Sequence, residues 1–188
     1  MKIALLVSVK EARQYTGQHT TILNILTKQG HIVSHMLAVT EEILDSWSLQ
    51  KRKAFYYNFY KEINKSDLIV AECSFPSLTI GYEISNAIQQ GKDVIILKSD
   101  SASIGISAND PLYLHKNIYV YEYTTNSLKQ VLTEALQLTN NESHKKFNIL
   151  LPIPMVTKLN KISKQKSLPK SVYIRSLIEQ GLAQENVE

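Results

Sequence analysis

The chain holds a single cysteine, Cys73, among 188 residues. One thiol excludes an intramolecular disulfide and any metal site built from several cysteines. It also fits a reducing cytoplasm, the compartment we expect. No apolar run approaches the roughly 20 residues that a membrane helix needs, so no membrane partner is expected. The apolar opening KIALLVSV is short and has no small-residue cleavage site after it, so it reads as a first strand and not as a signal peptide. His19, His31, His35, His115 and His144 lack metal-ligand spacing, and neither a metal nor a cofactor is expected. Internal repeats are absent. What remains is 44% hydrophobic and 20% charged, the balance of an ordinary globular chain.

The net charge of +4 is unevenly placed. Residues 144–188 carry eight Lys or Arg against three Glu, whereas residues 1–143 carry 13 basic and 14 acidic side chains. The positive charge therefore belongs to the tail. Such a tail suits either a polyanion partner or a plain solvated lysine face.

The most informative stretch is 67–97, DLIVAECSFPSLTIGYEISNAIQQGKDVIIL. A continuous apolar run (Leu68 to Ala71) meets polar residues and Pro76. A helix-period stretch follows (Ile80, Ile84, Ala87, Ile88), then Gly91, then a second apolar run from Val94. Fully apolar strands around a short helix indicate a parallel sheet buried on both faces. Ligands in such sheets sit at the carboxyl ends of strands, beside helix N-termini. Glu72, Ser74, Ser77, Thr79 and Glu83 form a polar cluster at that place.

The remaining pattern predicts strands over 2–9, 31–39, 68–73, 94–97 and 118–121. It predicts helices over 18–29, from 41 or 48 to 64, after strand three, and over 127–138. This alternation is that of a five-stranded doubly wound α/β domain, residues 1–138. Residues 139–145 read as a linker. Beyond it lies a β-α-α module, 146–188. Its short strand alternates Phe147, Ile149 and Leu151 inward with Lys146, Asn148 and Leu150 outward, and helices over 155–165 and 170–182 follow. One strand and two helices cannot bury a core alone, so the module must dock on the first domain or pair with a second chain.

Within the polar cluster, Glu83 is expected in the first turn of its helix, where the dipole and free amides favour an ionised carboxylate. A fixed carboxylate can attack an anomeric carbon and hold a covalent glycosyl intermediate. The hydroxyls of Ser77 and Thr79 suit a phosphate or a ribose hydroxyl. The same residues also fit a structural arrangement, with Ser77 or Thr79 capping the helix and Glu83 completing the cap. Cys73 reads as a small buried hydrophobe. The aromatic run 55–60 reads as helix core, or as one wall of a pocket for a flat base.

The segment IVAECSFPSLTIGYEISNAIQQGKDVIIL resembles the signature of the nucleoside 2-deoxyribosyltransferase family, and within it the deoxynucleoside 5′-monophosphate N-glycosidase branch. The matching residues are Asp67, Ala71, Glu72, Pro76, Ser77, Gly81, Tyr82, Glu83, Gly91 and Lys92. The resemblance implies a flavodoxin-like sheet, an oligomer of even order that is usually a homodimer, and a nucleoside or nucleotide substrate. By the same resemblance Glu83 is the nucleophile. Ser77 helps to hold the 5′-phosphate, and Thr79, Gly81 and Tyr82 belong to the substrate site. Ser8, Lys10 and Arg13 match the branch's first loop in type, although Glu11 and Ala12 stand where it has glycines. Two departures bear on chemistry. Phe59 occupies the position, 24 residues before Glu83, where the family carries an Asp, and the family's Tyr near the end of strand one is absent at Ala4 and Leu5.

The tail KFNILLPIPMVTKLNKISKQKSLPKSVYIRSLIEQGL resembles a ribbon-helix-helix domain. That likeness implies a ribbon of two paired strands in the major groove, with Lys146, Asn148 and Leu150 facing bases and Lys170 and Ser171 at a phosphate. Leu150 departs from the usual Thr, Arg or Lys, since it can touch a thymine methyl but cannot donate a hydrogen bond. Two functions of different class follow. One is an enzyme that cleaves or transfers an N-glycosidic bond through Glu83. The other is a nucleotide-sensing regulator that binds DNA through its tail.

Overall fold

The computed structural model describes residues 1–8, 12–102, 115–140, 149–166 and 170–184. Two compact units are present, Met1–His144 and Lys145–Glu188. The first holds five strands: β1 (Lys2–Leu6), β2 (Ile32–His35), β3 (Leu68–Glu72), β4 (Asp93–Ser99) and β5 (Ile118–Tyr123). They form one sheet in the order β2-β1-β3-β4-β5, and every pairing is parallel. Its helices are α1 (Ala12–Lys28), α2 (Glu41–Ser46), α3 (Leu49–Lys65), α4 (Leu78–Gln89) and α5 (Leu128–Asn140).

Strand alternation sorts the apolar residues into two cores. Ile3, Leu5, Leu68, Val70, Ile95 and Leu97 face α1 and α5, where Ile22, Leu26, Leu132 and Leu136 meet them. Ala4, Leu6, Ile69, Ala71, Val94 and Ile96 face α3 and α4 and meet Ile63, Ile80, Ile84 and Ala87. Every residue of β3 is buried, as expected of a central strand covered on both faces. The expected five-stranded doubly wound sheet is therefore present.

Several boundaries differ from the pattern-based reading. The helix expected to start at 41 or 48 is two helices. Thr40 caps α2 by accepting a hydrogen bond from the Ile43 amide, the chain leaves helical geometry at Trp47, and Ser48 caps α3 by accepting from Lys51. Strand two stops at His35 instead of 39, because β1 supplies partners only from Lys2 to Leu5 and the chain then turns at Met36–Val39. Gly30 and Gly91 end α1 and α4 with φ of 83° and 73°, the left-handed conformation that a side chain resists. Lys92 then donates to the Asn64 and Ser66 carbonyls at the end of α3.

The second unit contains α6 (Ile153–Lys166) and α7 (Lys170–Gln184), which contain the two expected helices. The strand expected before them is not seen in its described part. Residues 149–151 belong to no ladder, and Leu150 is fully exposed. A strand needs a partner for its amides, and a single chain provides none there. Lys146, Phe147 and Asn148 lie outside the described residues, as does most of the expected linker. Thr139 and Asn140 already belong to α5. Among the described residues, no helix is long and apolar enough to cross a membrane.

Candidate active site

In a sheet of this order the helices after β1 and β3 leave toward opposite faces, so a crevice opens between the carboxyl ends of these two neighbours. Here α1 departs to one face and α4 to the other. A cleft of about 850 Å³ lies at that point, floored by Leu6, Val7 and Ser8 and walled by α2, α3 and the 75–83 segment.

The polar cluster read from the sequence is divided by the sheet. Ser77, Thr79 and Glu83 line the cleft. Glu72, one strand position beyond the inward-facing Ala71, points to the opposite face and is 1% exposed. There its carboxylate accepts from the Ser74 amide at 3.1 Å, from the Ser74 hydroxyl and from Tyr123 Oη at 3.0 Å, and it lies 3.3 Å from His19 Nε2. Ser74 Oγ in turn accepts from the Ser99 amide at 2.7 Å. The network ties the ends of β3, β4 and β5 to α1, so Glu72, Ser74 and His19 secure the sheet edge under the cleft. Burial raises the Tyr123 phenol far above its ordinary range, with the Glu72 charge adding to the effect, so Tyr123 serves as a donor. Cys73 packs half-buried against the α3–α4 core, and burial followed by the Glu72 charge pushes its thiol up to about 12. A thiol so far above neutral pH is not a nucleophile.

Ser77 is the N-cap of α4, accepting from the Ile80 amide at 3.4 Å. The structural reading thus holds for Ser77. It fails for Glu83, which is the sixth residue of α4 and not its third. The expectation that Glu83 lies in the first turn is corrected as well. A turn further along, the dipole no longer decides its charge, since that effect fades within the first turn. Burial raises the Glu83 carboxyl above the ordinary carboxylate value of 4.5, and its Oε2 is buried with no hydrogen-bond partner. A carboxylate oxygen so placed keeps its lone pairs for a ligand.

Other sequence-assigned residues divide plainly. Ser8 is 5% exposed on the cleft floor, and Thr79 and Tyr82 stand at its mouth, Tyr82 being 63% exposed. Gly81 belongs to α4 but does not line the cleft; a Cβ added there would meet nothing within 4 Å. Lys10 lies outside the described residues, as do the side chains of Arg13 and Ser171. Lys170 opens α7 in the second unit.

Phe59 faces the cleft, in the company of Tyr56, Tyr57 and Tyr60. Missed in the sequence were Arg52 on α3 and Glu41 and Asp45 on α2, which complete the wall. Arg52 Nη1 lies 3.7 Å from Asp45 Oδ1, while its Nε is buried without a partner. The signal for Arg52 was available: positions 52, 56, 59 and 63 follow helical spacing and share a face. Among the described residues, no group of three or more His, Cys, Asp or Glu could hold a metal ion.

No family model matches the chain. Curated relatives do. A Syntrophotalea carbinolica protein provisionally named 2′-deoxynucleoside 5′-phosphate N-hydrolase 1 is 32% identical over 108 residues, 57% of this chain and 75% of that protein. The 5-hydroxymethyl-dUMP N-hydrolase of Danio rerio is 26% identical over 148 residues, spanning 75% of this chain and all of its own length. Among solved structures, the CMP N-glycosidase of Clostridium botulinum superposes with a TM-score of 0.49 at 18% identity, over 73% of this chain and 99% of that one, too distant to add weight. On the strength of the sequence relatives, the chain belongs to the 2′-deoxynucleoside 5′-phosphate N-hydrolase family.

Proposed function

We propose that this protein hydrolyses the N-glycosidic bond of a 2′-deoxynucleoside 5′-monophosphate through a covalent intermediate on Glu83. One observation carries the reading: a carboxylate oxygen is buried and unpartnered in the cleft at the β1/β3 switch point. Glu83 attacks C1′, and the C1′–N bond breaks with its electron pair passing to the base, which takes a proton from solvent. Water then attacks C1′ and gives up a proton. The bond to Glu83 breaks, and the free carboxylate and 2-deoxyribose 5-phosphate remain. The Ser77 and Thr79 hydroxyls and the amide end of α4 are suited to the phosphate. Arg52 of α3 adds a cation to the cleft lining. By the family resemblance, Ser8, Lys10 and Arg13 are assigned to substrate binding. The rings of Phe59, Tyr56 and Tyr82 offer flat apolar surface to the base.

Phe59 supplies no proton, so expulsion of the base relies on solvent and on the leaving ability of the base itself. Base release from a panel of ribo- and deoxyribonucleosides and their 5′-monophosphates, followed by chromatography beside Glu83→Ala, tests the reading. Release confined to deoxynucleoside monophosphates and abolished in the variant is expected. No release from any member overturns it.

A second function is proposed for the C-terminal unit: dimerisation through α6 and α7 and binding of double-stranded DNA. Its support is the apolar surface left open in a single chain, with Ile153 82%, Met155 50%, Ile178 51% and Leu182 62% exposed. Salt-dependent retardation of DNA is its test. The two functions are compatible in one molecule.

A further inference from the structure

Glu83 is a half-buried acid with an empty oxygen, and a nucleophile in that state needs a neighbour that favours its charged form. Three tyrosines of α3 border the cleft. Tyr57 has Lys61 Nζ 4.4 Å over its ring, and Tyr56 packs edge-on against Phe55 at 5.7 Å, contacts made by the rings and not by the hydroxyls. Tyr60 is different. Asn86 Nδ2 donates to its oxygen at 2.8 Å, and Asn86 lies one turn beyond Glu83 on α4. Because the amide occupies a lone pair of Tyr60, the phenolic hydrogen is left to donate elsewhere. The groups next to it are Tyr82 and Glu83. After burial, the charges of Tyr82 and Glu83 raise the phenol above its ordinary range, and a side-chain hydrogen bond to Tyr82 adds to this while the one from Asn86 opposes it; Tyr60 keeps its proton, and with Glu83 uncharged it turns that proton toward Tyr82.

We propose that Tyr60 is the positioning residue for Glu83: its hydroxyl, anchored by Asn86, donates a hydrogen bond to the Glu83 carboxylate when that group ionises. The inference rests on Glu83 being the nucleophile, yet the pairing itself can be measured without turnover. Among the described residues, the other charged groups on this cleft are Arg52 of α3 and Glu41 and Asp45 of α2. They are unchanged in the variants below, so a difference between variants reports the tyrosine.

The experiment is a carbon-13 NMR titration of the glutamate carboxyls in the full chain, with Glu83 identified by loss of its signal in Glu83→Gln. It is run on wild type, Tyr60→Phe, Tyr82→Phe and Asn86→Ala. A hydrogen bond to the charged form lowers a carboxyl's pKa, so Tyr60→Phe should move the Glu83 midpoint up by about one pH unit. Asn86→Ala should move it the same way by less. In parallel, kcat for base release should fall about tenfold or more in Tyr60→Phe with little change in KM, and its acid limb should move up with the carboxyl. An unmoved Glu83 midpoint in Tyr60→Phe overturns the proposal, as does a shift of equal size in Tyr82→Phe. A shifted midpoint in a protein that releases no base leaves the pairing standing and removes the glycosidic reading instead.

Discussion

In the proposed role, Glu83 sets a functional acid against the stability of its own fold. Its folded pKa is raised by burial, so the native state holds the proton more tightly than the unfolded chain does. Stability from this residue is therefore fullest below the unfolded value, near 4.5, and is lost as the pH rises through the folded value. Glu83→Gln, which cannot ionise, should raise Tm at pH 7, and the gain should shrink as the pH approaches 4.5. Calorimetry across that range checks it; a variant less stable than wild type at pH 7 contradicts the burial argument. Catalysis runs the other way. If Glu83 is the nucleophile proposed above it must be ionised, so kcat should climb with pH along an acid limb displaced upward from 4.5. Stability and rate at this residue thus have opposite pH dependence, as expected where an active-site group is held at a cost to the fold.

Between residue and molecule, α4 carries two duties at one end. Ser77 caps the helix and also faces the cleft. Substitution can separate these roles. Ser77→Ala removes the cap acceptor and should cost about 1 kcal/mol by urea unfolding. Ser77→Asp keeps an acceptor at the cap and a favourable charge at the helix N-terminus, so the stability should be retained. If the substrate brings a phosphate to this end of α4, the added negative charge should raise KM for 5′-monophosphates about tenfold or more. Free nucleosides should be nearly unaffected. Equal effects on both would separate Ser77 from the phosphate. The break between α2 and α3 matters at the same scale. Caps at Thr40 and Ser48 turn what could be one long helix into two, and that bend brings Glu41 and Asp45 round to the wall that Arg52 shares.

The whole molecule joins an α/β unit with a mixed charge balance to a basic two-helix unit. The second unit leaves Leu150 wholly exposed and Ile153 82% exposed. So much open apolar surface in a small unit points to a partner chain. Sedimentation of the full chain should give a dimer. Removal of residues 145–188 should lower that order or weaken association, whereas an unchanged dimer would place the interface on the α/β unit. If the tail reads DNA, retardation should weaken steeply with salt, and Lys146→Ala and Lys170→Ala should each reduce it. Retardation unchanged in both variants removes the DNA function.

Sequence alone determined the sheet and its order of elements. The runs Leu68–Ala71 and Val94–Leu97, the helical period between them, and Gly30 and Gly91 at helix ends are local signals, because each reflects backbone geometry within a few residues. The motif around Glu83 was legible for the same reason. Tertiary structure decided which side of the sheet each polar residue serves. A one-residue step along β3 sends Ala71 toward α4 and Glu72 toward α1, so neighbours in sequence divide between a cleft and a buried network. It also set Tyr60 apart from Tyr56 and Tyr57, since its partner Asn86 lies 26 residues away and only packing of α3 against α4 brings the two within 2.8 Å. Local periodicity fixes what an element is; the side chains that meet across elements depend on distances that no local pattern contains.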